Sequence, residues 1–160
     1  MSCLYLLRHA HAGDPMKWHD DDSLRPLSEK GRRQAERLGR LLGRAEGAPD
    51  RVVTSPLVRA EQTARIVAEA LGVELVVDRR LAGPLDPALV ADIVLAAGPA
   101  ERPCIVGHDP DFSELLGELT GTSPIPMRKG TLARIDFGGG IATGRGTIGL
   151  LIPADVLAGL

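Results

Sequence analysis

Two arginines and two histidines, in separate segments of the chain, have the side chains needed to bind and transfer a phosphoryl group. Arg8 and His9 directly follow one apolar run, His108 follows another, and Arg59 lies between them. A guanidinium binds two phosphate oxygens at once through its planar fork of donors. A neutral imidazole is a nucleophile near neutral pH, and the other three groups can stabilise charge on the equatorial oxygens. We therefore expect a cationic site where His9 attacks phosphorus and forms a phosphohistidine.

Short apolar runs that alternate with helical patterns must position these residues. We expect strands over residues 3–7, 51–54, 73–77, 103–106, 131–137 and 147–152. Helices are expected after Ser28, after Ser55, over 87–97 and after His108. This order predicts an α/β fold with three α/β/α layers around a mostly parallel, mixed sheet of about six strands. Ligands of such sheets bind beyond the carboxyl ends of the strands, where both histidines are predicted to lie.

Helix-start signals precede two of these helices. Ser28 is typical of an N-cap, with Glu29 in the first turn. Ser55 is interpreted in the same way, with Pro56 as the first helical residue. Arg59 then lies near the start of its helix and is expected to face the anion site.

The composition favours one domain over residues 1–160 and argues against several partners. A net charge of −2 and an aromatic content of 2% are poor for binding nucleic acid. No apolar run approaches the roughly 18 residues of a membrane span. We expect a cytoplasmic protein that needs no cofactor and no metal ion.

The polar segment 10–26 and the start of the last long helix contain the less clear candidates. Arg25 could bind phosphate or pair with Asp22 to hold the loop. Asp22, the last residue of an acidic run, and Asp109 are possible proton donors. Asp109 is more typical of an acid that stabilises a helix N-terminus. His11 and His19 are interpreted as loop residues.

These segments resemble the histidine phosphatase superfamily, which has the phosphoglycerate mutase-like fold. Arg8-His9-Ala10 resembles its Arg-His-Gly signature, with Ala in place of Gly. Residues 55–64 (SPLVRAEQTA) and 107–108 (GH) are similar to the segments with its second phosphate arginine and second histidine. Residues 25–31 (RPLSEKG) and 34–35 (QA) are similar to the segment that opens the first helix of the family. The resemblance covers residues 3 to about 116, and the short length together with residues 25–27 is most similar to the bacterial phosphohistidine phosphatase SixA branch. It implies that His9 is the nucleophile and that Arg8, Arg59 and His108 complete the phosphate pocket.

The spacing between Arg59 and His108 also indicates which class of substrate the site can take. Only 48 residues separate Arg59 from His108, enough for a strand, a helix and a strand but not for a helical cap. General acid catalysis contributes about 10²–10⁴-fold, and an alkoxide leaving group needs it. A phosphohistidine needs it less, because a protonated imidazole ring leaves as a neutral molecule. We therefore expect hydrolysis of phosphohistidine on a signalling or phosphotransfer protein.

Three other functions remain open from the residues alone. One is a broad phosphomonoesterase of small phosphate esters, with Asp109 or an acid of residues 20–22 as proton donor. A second is a metallohydrolase with ligands from His9, His11, Asp14, His19 and His108, although the two arginines would repel a cation. A third is a non-enzymatic module that carries phosphohistidine.

Overall fold

The computed structural model describes residues 1–159, which form one sheet with helices on both faces. In chain order the helices and strands are β1 (Cys3–Arg8), α1 (Glu29–Gly43), β2 (Arg51–Thr54), α2 (Val58–Leu71), β3 (Leu75–Val77), α3 (Pro87–Ala96), β4 (Pro103–Gly107), α4 (Asp111–Thr120), β5 (Leu132–Phe137) and β6 (Gly146–Ile152). Short 3-10 helices lie in four connections: Pro15–Lys17, Asp22–Leu24, Arg79–Ala82 and Ala154–Leu157.

The strand order is β3-β2-β4-β1-β5-β6. The first four strands of this order are parallel, whereas β5 pairs antiparallel with β1 and β6 with β5. The predicted mostly parallel, mixed sheet of about six strands is therefore confirmed. Because β2, β4 and β1 are neighbours, their carboxyl ends form one continuous edge.

Alternate residues of β1 point to opposite faces of the sheet, and each face has its own core. Leu4 and Leu6 pack with side chains of α3 and α4, whereas Tyr5 and Leu7 pack with side chains of α1 and α2. This confirms the three predicted layers. None of the helices within residues 1–159 combines the length and apolarity needed to cross a bilayer.

The two predicted helix starts have different outcomes. Ser28 caps α1 as expected, since its hydroxyl accepts a hydrogen bond from the Gly31 backbone at 3.1 Å. The prediction for Ser55 is wrong, because α2 begins at Val58. The Ser55 backbone N–H still donates to Val106 at 3.1 Å, which extends the parallel pairing of β2 and keeps Ser55 outside the helix.

Candidate active site

His9 lies one residue beyond β1, and its backbone N–H donates to the Gly107 carbonyl at 3.0 Å. Its imidazole is buried, with 4% of the residue exposed. Nδ1 lies 2.8 Å from the Ala10 carbonyl oxygen. A carbonyl only accepts, so Nδ1 carries the proton in the neutral ring and the lone pair is on Nε2. In this tautomer Nε2 has the lone pair that a nucleophile needs.

The surroundings of His9 keep it uncharged. The pKa of His9 is lowered to about 3. Burial is the largest cause, and the nearby His108, Arg59 and Arg8 act in the same direction. The hydrogen bond to Ala10 opposes this shift only in part. His9 is therefore neutral at physiological pH, as a nitrogen nucleophile must be.

His108 follows β4 and faces His9, with the two ring centroids 5.4 Å apart. Its Nε2 lies 2.7 Å from the Ser55 hydroxyl, which also accepts from the Leu57 backbone N–H at 3.2 Å. We assign the hydroxyl proton to this bond, which puts the proton of neutral His108 on Nδ1. Burial, then Arg59 and Arg8, lower the pKa of His108 to about 4. Ser55 thus belongs to the site, a role that its interpretation as a helix cap missed.

Arg59 lies in the first turn of α2, and its guanidinium is buried beside the 3-10 helix Asp22–Leu24. Nη1 donates to the Asp22 carbonyl at 2.8 Å, and Nη2 donates to the Asp22 carboxylate at 3.0 Å. Hydrogen bonds from Arg25 and the charge of Arg59 hold the pKa of Asp22 below its usual range. Asp22 is therefore an ionised acceptor, which makes it a poor source of protons.

Arg8 ends β1 and projects toward the start of α4. Its Nη1 donates to the Met127 carbonyl at 2.9 Å and lies 3.8 Å from the Asp109 carboxylate. That carboxylate accepts from the Ser113 backbone N–H at 3.0 Å and from the Ser113 hydroxyl. Asp109 therefore stabilises the first turn of α4, in agreement with the helix-terminal interpretation.

Arg25 is buried but directed mainly to its own loop. Its Nε donates to the Asp22 carboxylate at 3.0 Å, and Nη1 donates to the Ala12 carbonyl at 2.9 Å. Of the two interpretations of Arg25, these contacts favour the one in which it holds the loop. Its charge still reaches the site, since it contributes to lowering the pKa of Arg59.

Polar atoms are left unpaired where an anion would bind. Nε of Arg8, Nε of Arg59 and Nδ1 of His108 are buried without a hydrogen-bond partner among residues 1–159. Buried donors of this kind usually have partners. All three belong to side chains that lower the pKa of His9, so they surround the same imidazole.

Several residues that hold the site together were not singled out by the sequence analysis. Thr63 accepts from the Ala10 backbone N–H at 3.1 Å, and its hydroxyl donates to the Arg59 carbonyl at 2.8 Å. Two glutamines bind the backbone of the 10–27 segment in the same way. The Gln34 side-chain oxygen accepts from the His11 N–H, and the Gln62 side-chain oxygen accepts from the Leu27 N–H. At Gly31 a Cβ would collide with the His11 carbonyl, so only glycine fits there. Most of these residues lie in the segments that carry the family resemblance.

Metal binding finds no support in the arrangement of side chains. Within residues 1–159, no group of three or more His, Cys, Asp or Glu side chains is placed to hold a metal ion. The unpaired nitrogens of Arg8 and Arg59 suit an anion instead.

An uncharged imidazole flanked by guanidiniums, at the carboxyl edge of the parallel strands, is an arrangement suited to binding a phosphoryl group. The sequence agrees with such a site, since residues 4–83 match the family model of the histidine phosphatase superfamily (branch 1). The chain belongs to this superfamily and is a phosphatase.

Comparisons with individual proteins agree with the family. An uncharacterised protein of Picosynechococcus sp. is 39% identical over a match of 118 residues. The match covers 69% of this chain and 68% of that protein. A 2,3-bisphosphoglycerate-dependent phosphoglycerate mutase of Thermobifida fusca is 42% identical over 85 residues, but these are only 33% of its length. The solved structure of the protein histidine phosphatase SixA with tungstate has a TM-score of 0.77 at 24% identity, covering 97% of this chain and 99% of that one. This last likeness establishes the predicted phosphoglycerate mutase-like fold.

Proposed function

We propose that this chain hydrolyses phosphohistidine on a signalling or phosphotransfer protein through a phosphohistidine intermediate at Nε2 of His9. Arg8, Arg59 and His108 bind the transferred group in this proposal. The similar SixA structure was solved with tungstate, a tetrahedral oxyanion, which supports an oxyanion site in this fold.

The observation that carries the proposal is the state of the two candidate proton donors. The Asp22 carboxylate accepts hydrogen bonds from two arginines, and these partners lower its pKa. The Asp109 carboxylate accepts from the Ser113 backbone and hydroxyl. Both carboxylates are thus engaged as acceptors within the protein, which favours a substrate whose leaving group needs no proton from the enzyme.

The histidines do not supply the missing proton either. Burial lowers the pKa of His108 to about 4, so at neutral pH its ring is uncharged and a weak acid. An alkoxide would leave slowly from such a site, because general acid catalysis is worth about 10²–10⁴-fold. A phosphoimidazole that is itself protonated leaves as neutral imidazole and needs no proton from the enzyme.

The proposed reaction has two steps. In the first, Nε2 of His9 forms a bond to phosphorus, the substrate P–N bond breaks, and its electron pair stays on the departing imidazole. The positive charge on the phosphorylated His9 ring is stabilised by the Ala10 carbonyl, which accepts from Nδ1. In the second, water attacks phosphorus and the bond from phosphorus to Nε2 breaks, with its electron pair returning to Nε2. Inorganic phosphate leaves as the dihydrogen ion with the oxygen and both protons of the water, and His9, still protonated on Nδ1, returns to its neutral form.

Access to the site is compatible with a protein substrate. The residues between Arg59 and His108 form the rest of α2, then β3, a short 3-10 helix, α3 and β4. This confirms the expected strand, helix and strand. All of these elements belong to the layered domain, so this connection inserts no helical cap over the phosphate pocket.

The test compares a histidine-phosphorylated phosphotransfer domain with p-nitrophenyl phosphate as substrates of the same preparation. The proposal expects a higher kcat/KM for the phosphoprotein and no turnover of either by His9→Ala. Equal or faster turnover of the aryl ester at comparable concentrations would contradict the phosphohistidine substrate.

One observation favours the alternative of a small phosphate ester. Asp109 lies 3.8 Å from Arg8, near enough to the phosphate pocket to act on a leaving oxygen after a change of rotamer. Under this alternative, alkyl phosphates are good substrates and their pH–rate profile has a carboxylate limb. That limb would disappear in Asp109→Asn, whereas phosphohistidine hydrolysis would be unaffected.

A further inference from the structure

A cavity of about 380 Å³ lies beside the proposed phosphate site, since it is lined by Arg8, whose charge also acts on His9. We propose that this cavity is a second anion subsite, which binds a carboxylate carried by the same substrate as the phosphoryl group. Its ionisable lining residues are Arg8, His11, Lys30, Arg128, Lys129 and Asp155. Four of these side chains are cationic and one is acidic, so the cavity favours a negatively charged ligand.

Three of the four cations of the cavity lack an acidic partner among the described residues, whereas Arg8 lies 3.8 Å from Asp109. Within residues 1–159, Lys30, Arg128 and Lys129 form no ion pair. Some other surface cations do form one, for example Arg65, which binds Glu61 at 3.0 Å. Unpaired like charges around one concavity raise the local concentration of an anionic ligand.

Lys129 lies within the field of three arginines of the site. It is half-buried, and burial lowers its pKa, as do Arg8, Arg25 and Arg59 in that order. Lys30 lies in the first turn of α1, where the positive end of the helix dipole disfavours a cation. Neither position stabilises the positive charge of its lysine in the folded protein, but both positions suit the binding of an anion.

The backbone beside Lys129 is also fixed relative to the backbone of His9. The Gly130 backbone N–H donates to the carbonyls of Arg8, at 3.1 Å, and His9, at 2.9 Å. Gly130 has a φ of +76°, a conformation that glycine adopts readily, and this bend sets the direction of the preceding residue. The backbone that carries Lys129 is therefore held next to the backbone that carries His9.

A carboxylate beside the phosphoryl group could come from a polypeptide or from a small molecule. If the proposed function is correct, on which this detail rests, the carboxylate is an acidic side chain close to the phosphohistidine. The alternative source is a carboxylate within a small phosphate ester. The chemistry recognised is the same in both cases, and the experiment separates them.

The test uses two matched pairs of compounds. O-phosphoserine and O-phosphoethanolamine differ only in the carboxylate and are compared as competitive inhibitors of p-nitrophenyl phosphate hydrolysis. Two phosphohistidine peptides, with Asp or Asn beside the phosphohistidine, are compared as substrates. Each pair is measured with the unaltered protein, with Lys129→Gln and with Arg32→Gln. Arg32 is an exposed cation of α1, close in sequence to Lys30, that does not line the cavity.

The subsite predicts that the carboxylate member of at least one pair binds about tenfold better, the factor that ~1.4 kcal/mol gives. Lys129→Gln should remove this preference and Arg32→Gln should keep it. Preference in the peptide pair identifies a polypeptide source, and preference in the ester pair alone identifies a small molecule. If neither peptide is hydrolysed, the proposed function fails, and the inhibitors still decide the subsite. No preference in either pair, or a preference that survives Lys129→Gln, would overturn the proposal.

Discussion

The Asp22 carboxylate lies 3.0 Å from Nη2 of Arg59, so an anion of the protein itself contacts the guanidinium that we assign to the phosphoryl group. The same carboxylate lies 3.0 Å from Nε of Arg25. Asp22 therefore has two opposing effects on catalysis. It orients Arg59, and its negative charge repels the phosphate that Arg59 is proposed to bind.

Asp22→Asn separates these effects, because an amide keeps the shape and one oxygen acceptor but removes the charge. We expect the inhibition constant of inorganic phosphate to fall about two- to fivefold, a modest factor because the carboxylate is largely exposed and screened by solvent. The measurement is inhibition of p-nitrophenyl phosphate hydrolysis at fixed ionic strength.

Asp20→Asn is the matched control, since Asp20 is an exposed acid of the same loop. Within the part of the chain that the structure describes, its carboxylate accepts only from the backbone of Asp21. Its phosphate inhibition should stay near that of the unaltered protein. Weaker phosphate binding in Asp22→Asn would mean that orientation of Arg59 outweighs repulsion. A loss on the order of 10²-fold in kcat for alkyl esters would identify Asp22 as a proton donor after all.

Thr63 joins the nucleophile to the helix of Arg59, because its hydroxyl contacts the backbone of both Ala10 and Arg59. Thr63→Val keeps the volume but leaves the buried Ala10 N–H without an acceptor. We expect the free energy of unfolding to fall by about 1–3 kcal/mol. We expect kcat to fall about tenfold, since the backbone next to His9 is displaced. Urea unfolding and steady-state kinetics measure the two effects.

Thr120→Val is the control for Thr63→Val. The Thr120 hydroxyl donates to the Leu116 carbonyl within α4 and accepts from no backbone N–H of the site. Loss of the Thr120 hydroxyl should change kcat little. It should lower the free energy of unfolding by less than loss of the Thr63 hydroxyl does. Similar kcat values for Thr63→Val and the unaltered protein would show that this link does not position His9.

Burial of His9 makes stability depend on pH. The pKa of His9 is about 3 in the folded protein, below the value of about 6.5 expected when unfolded. Between these values the unfolded state binds more protons, so stability falls as the pH is lowered. From pH 7 to pH 4.5 the unaltered protein should lose ~2–3 kcal/mol more than His9→Gln does.

The experiment is urea unfolding at both pH values, with His19→Gln as control for an exposed loop histidine. Carboxylates contribute equally to all three proteins and cancel in the comparison. If His9→Gln showed the same pH dependence as the unaltered protein, His9 would not be held neutral by its surroundings.

The parts of the fold that the sequence predicted are those set by local pattern. Continuous apolar runs marked the buried strands, and the residues just beyond them, His9 and His108, had to lie at one edge of a parallel sheet. Arg59 followed from its place in the first turn of the next helix. These inferences need only the order of elements and their periodicity.

The features that the sequence did not predict depend on contacts between distant parts of the chain. Ser-Pro after a strand is a typical helix start, but the Ser55 backbone pairs with β4 and its hydroxyl binds His108. The contact between Asp22 and Arg59 requires the polar 10–26 loop to fold over α2, which no local pattern encodes. Lys129 lies in a turn beyond the resembling segments, and only the hydrogen bonds of Gly130 to β1 and His9 bring it to the site.

The central claim is that phosphorus becomes bonded to Nε2 of His9, and this bond is directly observable. A histidine-phosphorylated phosphotransfer domain is mixed with the protein, the reaction is quenched in alkali within milliseconds, and ³¹P NMR with peptide mapping locates the phosphoryl group. The account predicts Nε2-phosphohistidine at His9, formed and lost within the turnover time and absent in His9→Ala. Label on another residue, on Nδ1 of His9, or full hydrolysis by His9→Ala would contradict it.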